Sequence, residues 1–351
     1  MWQTLTLTPS ALVVFRVLKH SSTVNSQWRC GTTHMWTNLN NDLKEAMFLC
    51  ILERFRLEDI QIILKFALLE KATSLIARQL FFNIVKPLTQ APFHMANPFT
   101  VTVIHLNMND SQIGGSAIDT LTKAMIFSKN GKGALASLKR LELYLNKIGD
   151  VGMSALASAC ANGALPALKE LLLMHNQIGD AGMSALASAC ANGALPALKS
   201  LELCNNQIGD DGITALADAL GKGALASCQR LELNSNHIGD VGMTALASAL
   251  ALESGALPAL LDLWLSDNQI GDAGMISFSE ALGKGALAHL TELNIRGNKI
   301  GDSGMSALAG ACANGALAPG ANIYLRDNNA TETGKQAMRD AAEACGRKVY
   351  F

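Results

Sequence analysis

The sequence predicts an α/β solenoid: parallel strands stacked along the concave face of a curved array, α-helices on its convex face, and a helical region at the N-terminal end. Two observations carry this. An asparagine-centred segment recurs at a fixed interval through most of the chain, and each recurrence pairs a short period-two stretch with a helical one. A third observation, an abrupt change of composition, separates the array from what precedes it.

Each copy is anchored by an asparagine: Asn146, Asn176, Asn206, Asn236, Asn268, Asn298 and Asn328, at intervals of 30, 30, 30, 32, 30 and 30 residues. Leu252-Glu253 is the two-residue insertion. The stretch Gly152–Lys169 recurs unchanged at Gly182–Lys199. A degenerate copy begins at His105, with Ser111 in the asparagine slot, and the Asn328 copy departs from the pattern after its asparagine. A period of this size means stacked supersecondary units.

Within a unit, Leu141 and Leu143 alternate with outward residues, as a half-buried strand requires, and Ile148 follows across a turn. Met153, Leu156 and Ala157 then fall at helical spacing. Asp150 is placed to cap the helix N-terminus with its carboxylate, and Gly163 to end the helix. The unit therefore reads strand, turn, helix, return loop. Strands stack at about 4.8 Å and helices at about 8–10 Å, so the helical side is the longer, convex one. Alanines at 155, 157 and 159 keep neighbouring helices close. No unit buries its own apolar face, so stability comes from stacking on neighbours, with atypical end units as caps.

Leu-x-x-Leu-x-Leu-x-x-Asn-x-Ile at Leu138–Ile148 resembles the leucine-rich repeat consensus. The Asp-x-Gly helix and long period resemble the ribonuclease-inhibitor-like subfamily, shared with Ran GTPase-activating proteins and the sensor ends of some innate immune receptors. The resemblance covers residues 104–351. It implies that each repeated asparagine lies inside the turn, bonded to backbone groups left unpaired where the strand ends.

Most repeated polar residues read as structure. The column Asp150, Asp180, Asp210, Asp240, Asp272 and Asp302 lacks the second carboxylate that a calcium site needs. Gly-Lys-Gly at 131–133, 221–223 and 283–285 lacks the first glycine and the Ser/Thr of a phosphate loop. Cys160, Cys190 and Cys312 share a slot with Leu220, Leu250 and Leu282, which marks them as small buried apolar residues in a reducing compartment. Neither Gly-x-Ser-x-Gly nor His-Glu-x-x-His occurs, so no cofactor, metal or catalytic residue is expected.

Function is expected where copies differ. Four residues before the asparagine slots stand Asn107, Glu142, Leu172, Glu202, Glu232, Trp264, Asn294 and Tyr324. Two before stand Asn109, Tyr144, Met174, Cys204, Asn234, Ser266, Arg296 and Arg326. These side chains line the concave face about 4.8 Å apart. Aromatic and arginine side chains are the usual interface anchors. A protein partner is therefore expected on Glu142, Tyr144, Leu172, Met174, Glu202, Glu232, Trp264, Arg296, Tyr324 and Arg326, with Trp264, Tyr144 and the Arg296/Arg326 pair as anchors. The bland alternative is a set of tolerated surface residues on a recently duplicated array.

Composition bounds the rest. Of 18 aromatics, residues 1–103 hold 11, and their net charge is +4 against -5 for the remainder. The net of -1 over 351 residues argues against nucleic acid, and the apolar runs are too short to span a bilayer. Residues 1–41 contain no acid and 11 Ser/Thr, a composition shared by organellar transit peptides and unstructured tails. Three helices are predicted, Asp42–Phe55, Leu57–Leu69 and Lys71–Val85, within a cap region 42–103. Leu43, Ile51, Leu52, Phe55, Asp59 and Ile60 resemble F-box spacing, but Lys44 replaces its proline and the Val-Cys-x-x-Trp stretch is missing. Three functions remain: a non-enzymatic cytoplasmic binding scaffold, a Ran-type activator acting on a small GTPase, and an F-box-like ubiquitin-ligase substrate receptor.

Overall fold

The computed structural model describes residues 136–351 except 253–254, together with 105–107, 109, 110, 114, 115, 118 and 122. The helices expected within 42–85, the F-box pattern and Ser111 lie outside the described residues. Thr102–Phe351 forms one compact unit.

Nine strands form one sheet in chain order: β1 His105–Asn107, β2 Arg140–Glu142, β3 Glu170–Leu172, β4 Ser200–Glu202, β5 Arg230–Glu232, β6 Asp262–Trp264, β7 Glu292–Asn294, β8 Asn322–Tyr324 and β9 Lys348–Tyr350. Every neighbouring pair is parallel. From β2 onward the helices between them are α1 Gly149–Ala161, α2 Asp180–Ala191, α3 Asp210–Gly221, α4 Asp240–Leu250, α5 Asp272–Gly283, α6 Asp302–Ala313 and α7 Glu332–Ala344. This is the strand–helix solenoid that the repeat predicts.

The core follows the repeat letter by letter. Leu138, Leu141, Leu143, Ile148, Met153 and Leu156 are all buried, as are their equivalents in the next five units, each such large apolar side chain being worth roughly 1.5–3 kcal/mol. Ala157 and Ala159 are buried between helices, whereas Ala155 is half-buried. Leu231 and Leu263 remain register partners across the longer interval, because the extra residues fall in the loop after α4, where Leu252 is exposed. Cys160, Cys190, Cys312 and the leucines sharing their slot are all buried, and burial pushes the Cys160 and Cys190 thiols up to about 12.

The asparagines bind their own unit to the one before. Asn206 Nδ2 donates to the carbonyls of Leu203 at 2.9 Å and Leu173 at 3.0 Å. Its Oδ1 accepts from the N–H groups of Asn176 and Ile178, both at 3.0 Å. Asn236, Asn268, Asn298 and Asn328 repeat the two donations and the bond accepted from the isoleucine N–H of the unit before. Buried backbone groups are thereby satisfied where the short strands end.

The aspartates depart from expectation: they do not cap their own helices. Helices α2 to α6 begin after Gly179, Gly209, Gly239, Gly271 and Gly301, without a side-chain cap. Each aspartate instead reaches forward. Asp150 Oδ1 accepts from Gly179 N at 2.7 Å and Gly182 N at 2.9 Å, and Asp180, Asp210, Asp240 and Asp272 repeat the arrangement one unit on. The carboxylate thus satisfies orphan donors at the positive end of the following helix. A Cβ at Gly182 would lie 2.7 Å from that oxygen, which explains the glycine of Asp-x-Gly. At the other helix ends Gly163, Gly223 and Gly285 adopt φ of +80, +86 and +92°, so two of the three Gly-Lys-Gly sequences end in helix-terminating turns.

The last unit caps differently. Thr331 Oγ1 accepts from Thr333 N at 3.3 Å, and Asp302 still reaches forward to Thr331 and Gly334. Strand β9 extends the sheet without the Leu-x-Leu signature, as a strand that sequence reading missed. Val349 alternates with Lys348 and Tyr350 and pairs with Ile323.

Candidate functional site

The outward residues of the strands form a continuous surface, because identical register sets equivalent positions side by side. Along the middle column the neighbours run Glu142, Leu172, Glu202, Glu232, Trp264, Asn294, Tyr324 and Tyr350. Glu142, Leu172 and Glu232 are buried between their neighbours, while Glu202, Trp264 and Tyr324 are half-buried. One step beyond the strands, Tyr144 and Met174 are half-buried, and Arg296 and Arg326 are exposed. All ten predicted residues therefore lie on one side of the sheet, although the aromatics and arginines occupy different stretches of it.

Glu142 is fully engaged. It accepts from Arg140 Nε at 2.6 Å, His105 Nε2 at 2.7 Å, Asn107 Nδ2 at 2.5 Å and Asn109 Nδ2 at 2.8 Å. Burial pushes its carboxyl up, but the hydrogen bonds from Arg140, His105 and Asn109 outweigh this and hold it below the usual range. Tyr144 packs edge-on against His175, with ring centroids 5.5 Å apart.

Glu202 and Glu232 are different. Among the described residues Glu202 takes only Ser200 Oγ, at 3.2 Å, and burial raises its carboxyl. Glu232 takes Cys204 Sγ at 3.4 Å. Burial first, then the Glu202 charge, raises it. Its nearest cation, Arg230, lies 3.9 Å away and bonds Asp262 at 3.0 Å instead. Trp264 adjoins Glu232 on the next strand, and its indole nitrogen is enclosed with no acceptor. At the far end, Asp327 stands between the two arginines, 2.9 Å from Arg296 and 3.5 Å from Arg326. That end is therefore a shared ion-pair cluster. Beyond it Tyr324 and Tyr350 stack at 4.8 Å.

Sequence reading missed a third outward column, the first residue of each strand: Arg140, Glu170, Ser200, Arg230, Asp262, Glu292 and Asn322. Extending the period-two alternation by one step would have found it. It supplies the Arg140–Glu170 and Arg230–Asp262 pairs. Among the described residues no cluster of His, Cys, Asp and Glu has the geometry to hold a metal ion, and no helix is long and apolar enough to cross a membrane.

No curated protein matches the chain. Among solved structures, an internalin (inlF) from Listeria monocytogenes is 18% identical, covering 78% of this chain and 94% of that one, with a TM-score of 0.27. A Leptospira interrogans LRR protein is 17% identical over 62% and 67%, TM-score 0.23. The plant peptide hormone receptor RGFR1, in complex with RGF2, is 12% identical over 61% of this chain but only 43% of its own, TM-score 0.26. The family model described as Leucine Rich repeat matches six successive segments, residues 134–157, 165–187, 195–217, 229–247, 258–279 and 286–309. With those matches lying on the strand–helix units and their asparagine ladder, this is a leucine-rich repeat protein.

Proposed function

We propose that the protein is a non-enzymatic scaffold, a ribonuclease-inhibitor-like array in the cytoplasm that binds a protein partner through the sheet face. One observation carries the reading. The first two full copies are identical from Gly152–Lys169 to Gly182–Lys199, exposed helix residues such as Ser158 included. Upstream they differ at Arg140/Glu170, Glu142/Leu172, Tyr144/Met174, Leu145/His175, Lys147/Gln177 and Val151/Ala181. Three of these pairs are the outward face of the strand, two lie in the turn beside it, and one is at the helix start. Mere tolerance of surface change would have scattered differences over the exposed helix residues as well. In this pair of copies the differences fall on the sheet face and the turn beside it instead, as expected of a recognition surface on a copied scaffold. Helices of 11–13 residues in α1 to α7 support the subfamily.

The test is affinity purification from native lysate, comparing wild type with a folded variant carrying Trp264→Ala, Tyr144→Ala and Arg296→Glu. A partner lost only from the variant supports the reading, and unchanged capture of every specific partner refutes it. Stimulated GTP hydrolysis by a small GTPase would instead establish the Ran-type alternative, and co-purification with a Skp1-type adaptor the F-box-like one.

A further inference from the structure

We propose that the sheet face over β4–β6 receives an arginine or lysine side chain of a partner protein, seated between Glu202 and Glu232 against the ring of Trp264. This rests on the reading of the sheet face as the recognition surface and names what that surface recognises.

Three observations converge there. First, the two carboxylates are register neighbours, and among the described residues neither has a cation within hydrogen-bond distance. Glu142, on the same column, shows what a satisfied carboxylate looks like in this fold, with four donors around it. Glu202 has one hydroxyl and Glu232 one thiol. A carboxylate can accept several hydrogen bonds, so acceptor capacity is left over at a place half removed from water.

Second, the adjacent Trp264 keeps an enclosed indole N–H without an acceptor, independently of the acids. A buried unpaired donor is costly, and a partner that reorients the ring while offering a backbone carbonyl removes that cost. A tryptophan next to Glu232, with Glu202 one strand further on, also suits a guanidinium, which aromatic rings hold by stacking while carboxylates hydrogen-bond it.

Third, the charge of the surrounding face is complementary. On strands β3–β7 the outward residues include Glu170, Glu202, Glu232, Asp262 and Glu292 against Arg230 alone. Such a field attracts a basic segment and repels nucleic acid. A bare metal ion fits less well, since the described residues offer no metal-binding cluster.

The full chain would be tested against immobilised pools of short peptides with randomised flanks and a fixed central Arg, Lys, Gln or Glu. Retention of the Arg or Lys pool about tenfold above the Gln pool is expected. Glu202→Gln/Glu232→Gln should abolish that preference, and Glu170→Gln/Glu292→Gln, which removes the same charge elsewhere on the face, should leave it. Equal retention of all pools, or a preference that survives Glu202→Gln/Glu232→Gln, overturns the proposal. If retention then still falls with Trp264→Ala/Tyr144→Ala, the sheet face remains the recognition surface and only the cation reading fails. If no pool is retained above a blank surface and the lysate partners are unaffected by the sheet-face variant, both readings fail.

Discussion

The forward-reaching aspartates make Gly242→Ala an informative substitution. In an ordinary helix, Ala stabilises relative to Gly by about 1 kcal/mol. Here an added Cβ would lie 2.7 Å from Asp210 Oδ1 and 3.1 Å from the Asp210 Cα. The carboxylate must move, and it currently accepts from Gly239 N at 2.7 Å and Gly242 N at 2.9 Å. Hydrogen bonds to a charged group contribute roughly 1.5–3 kcal/mol each, and partial exposure places these at the low end. Losing one of them outweighs the helix-propensity gain by about 0.5 kcal/mol and losing both by about 2, so Gly242→Ala should destabilise by about 0.5–2 kcal/mol. Asp210→Ala should cost about 2 kcal/mol, within the range of lost helix caps. Asp210→Asn, which keeps an acceptor but loses the charge facing the helix, should cost about 0.5–1 kcal/mol. Once the carboxylate is gone, Gly242→Ala should cost little more, giving a coupling of about 1 kcal/mol in the double-mutant cycle. Urea unfolding followed by circular dichroism measures all four proteins. A Gly242→Ala variant as stable as wild type, or strict additivity, would refute the coupling.

Asn206→Ala leaves backbone groups of two units unpaired and should cost about 3 kcal/mol or more; Asn206→Asp, which keeps the acceptor, should fall between it and wild type in the same urea series. The folded-state pKa of Glu142 lies below its ordinary 4.5, so its stabilisation holds above that value and is lost as pH falls through the folded value. Glu142→Gln should therefore be destabilising at pH 7 and nearly neutral in acid. Glu232 has the opposite sign: its folded pKa lies above 4.5, its ionised form disfavours the fold, and Glu232→Gln should stabilise at pH 7, the gain vanishing by about pH 4. Thermal melts across pH decide both. Burial holds Cys160, Cys190, Cys204 and Cys228 at about 12, leaving a thiolate fraction of about 10⁻⁴ at pH 8. Iodoacetamide should modify half-exposed Cys345 first among the described thiols, and early labelling of Cys160 would contradict this packing.

Strand, turn and helix were readable because each unit states its apolar positions again, and seven restatements leave little room for another period. The role of the aspartates was hidden by the same regularity. Asp150 stands two residues before Gly152 in its own unit, and an identical Asp-x-Gly stands in the next. Within a near-perfect repeat, capping one's own helix and capping the following one leave the same text. Only the geometry separates them. At the candidate site, alternation marked which residues face outward but not which are consumed by their neighbours. Glu142 and Glu232 look alike in sequence; Arg140, two residues upstream of Glu142, bonds it closely, whereas Arg230 turns to Asp262 on the next strand. Asp327 between the arginines escaped notice because it sits in the turn, outside the alternating strand. Strand β9 lacks the leucine pattern and had no copy to be compared with.

The aspartate linkage has a direction. Each carboxylate serves the helix that follows, and the position after Asp302 is filled by Glu332, which turns back to Arg339 on its own helix and hands nothing on. Any internal block that begins and ends at equivalent points can be copied in place, since each unit from α2 to α6 offers the same two glycine amides to whichever predecessor it acquires. Array length is in this sense a free variable, set by duplication without redesign of any junction. Each added unit lengthens the sheet face by one strand, about 4.8 Å, carrying three outward positions still open to change.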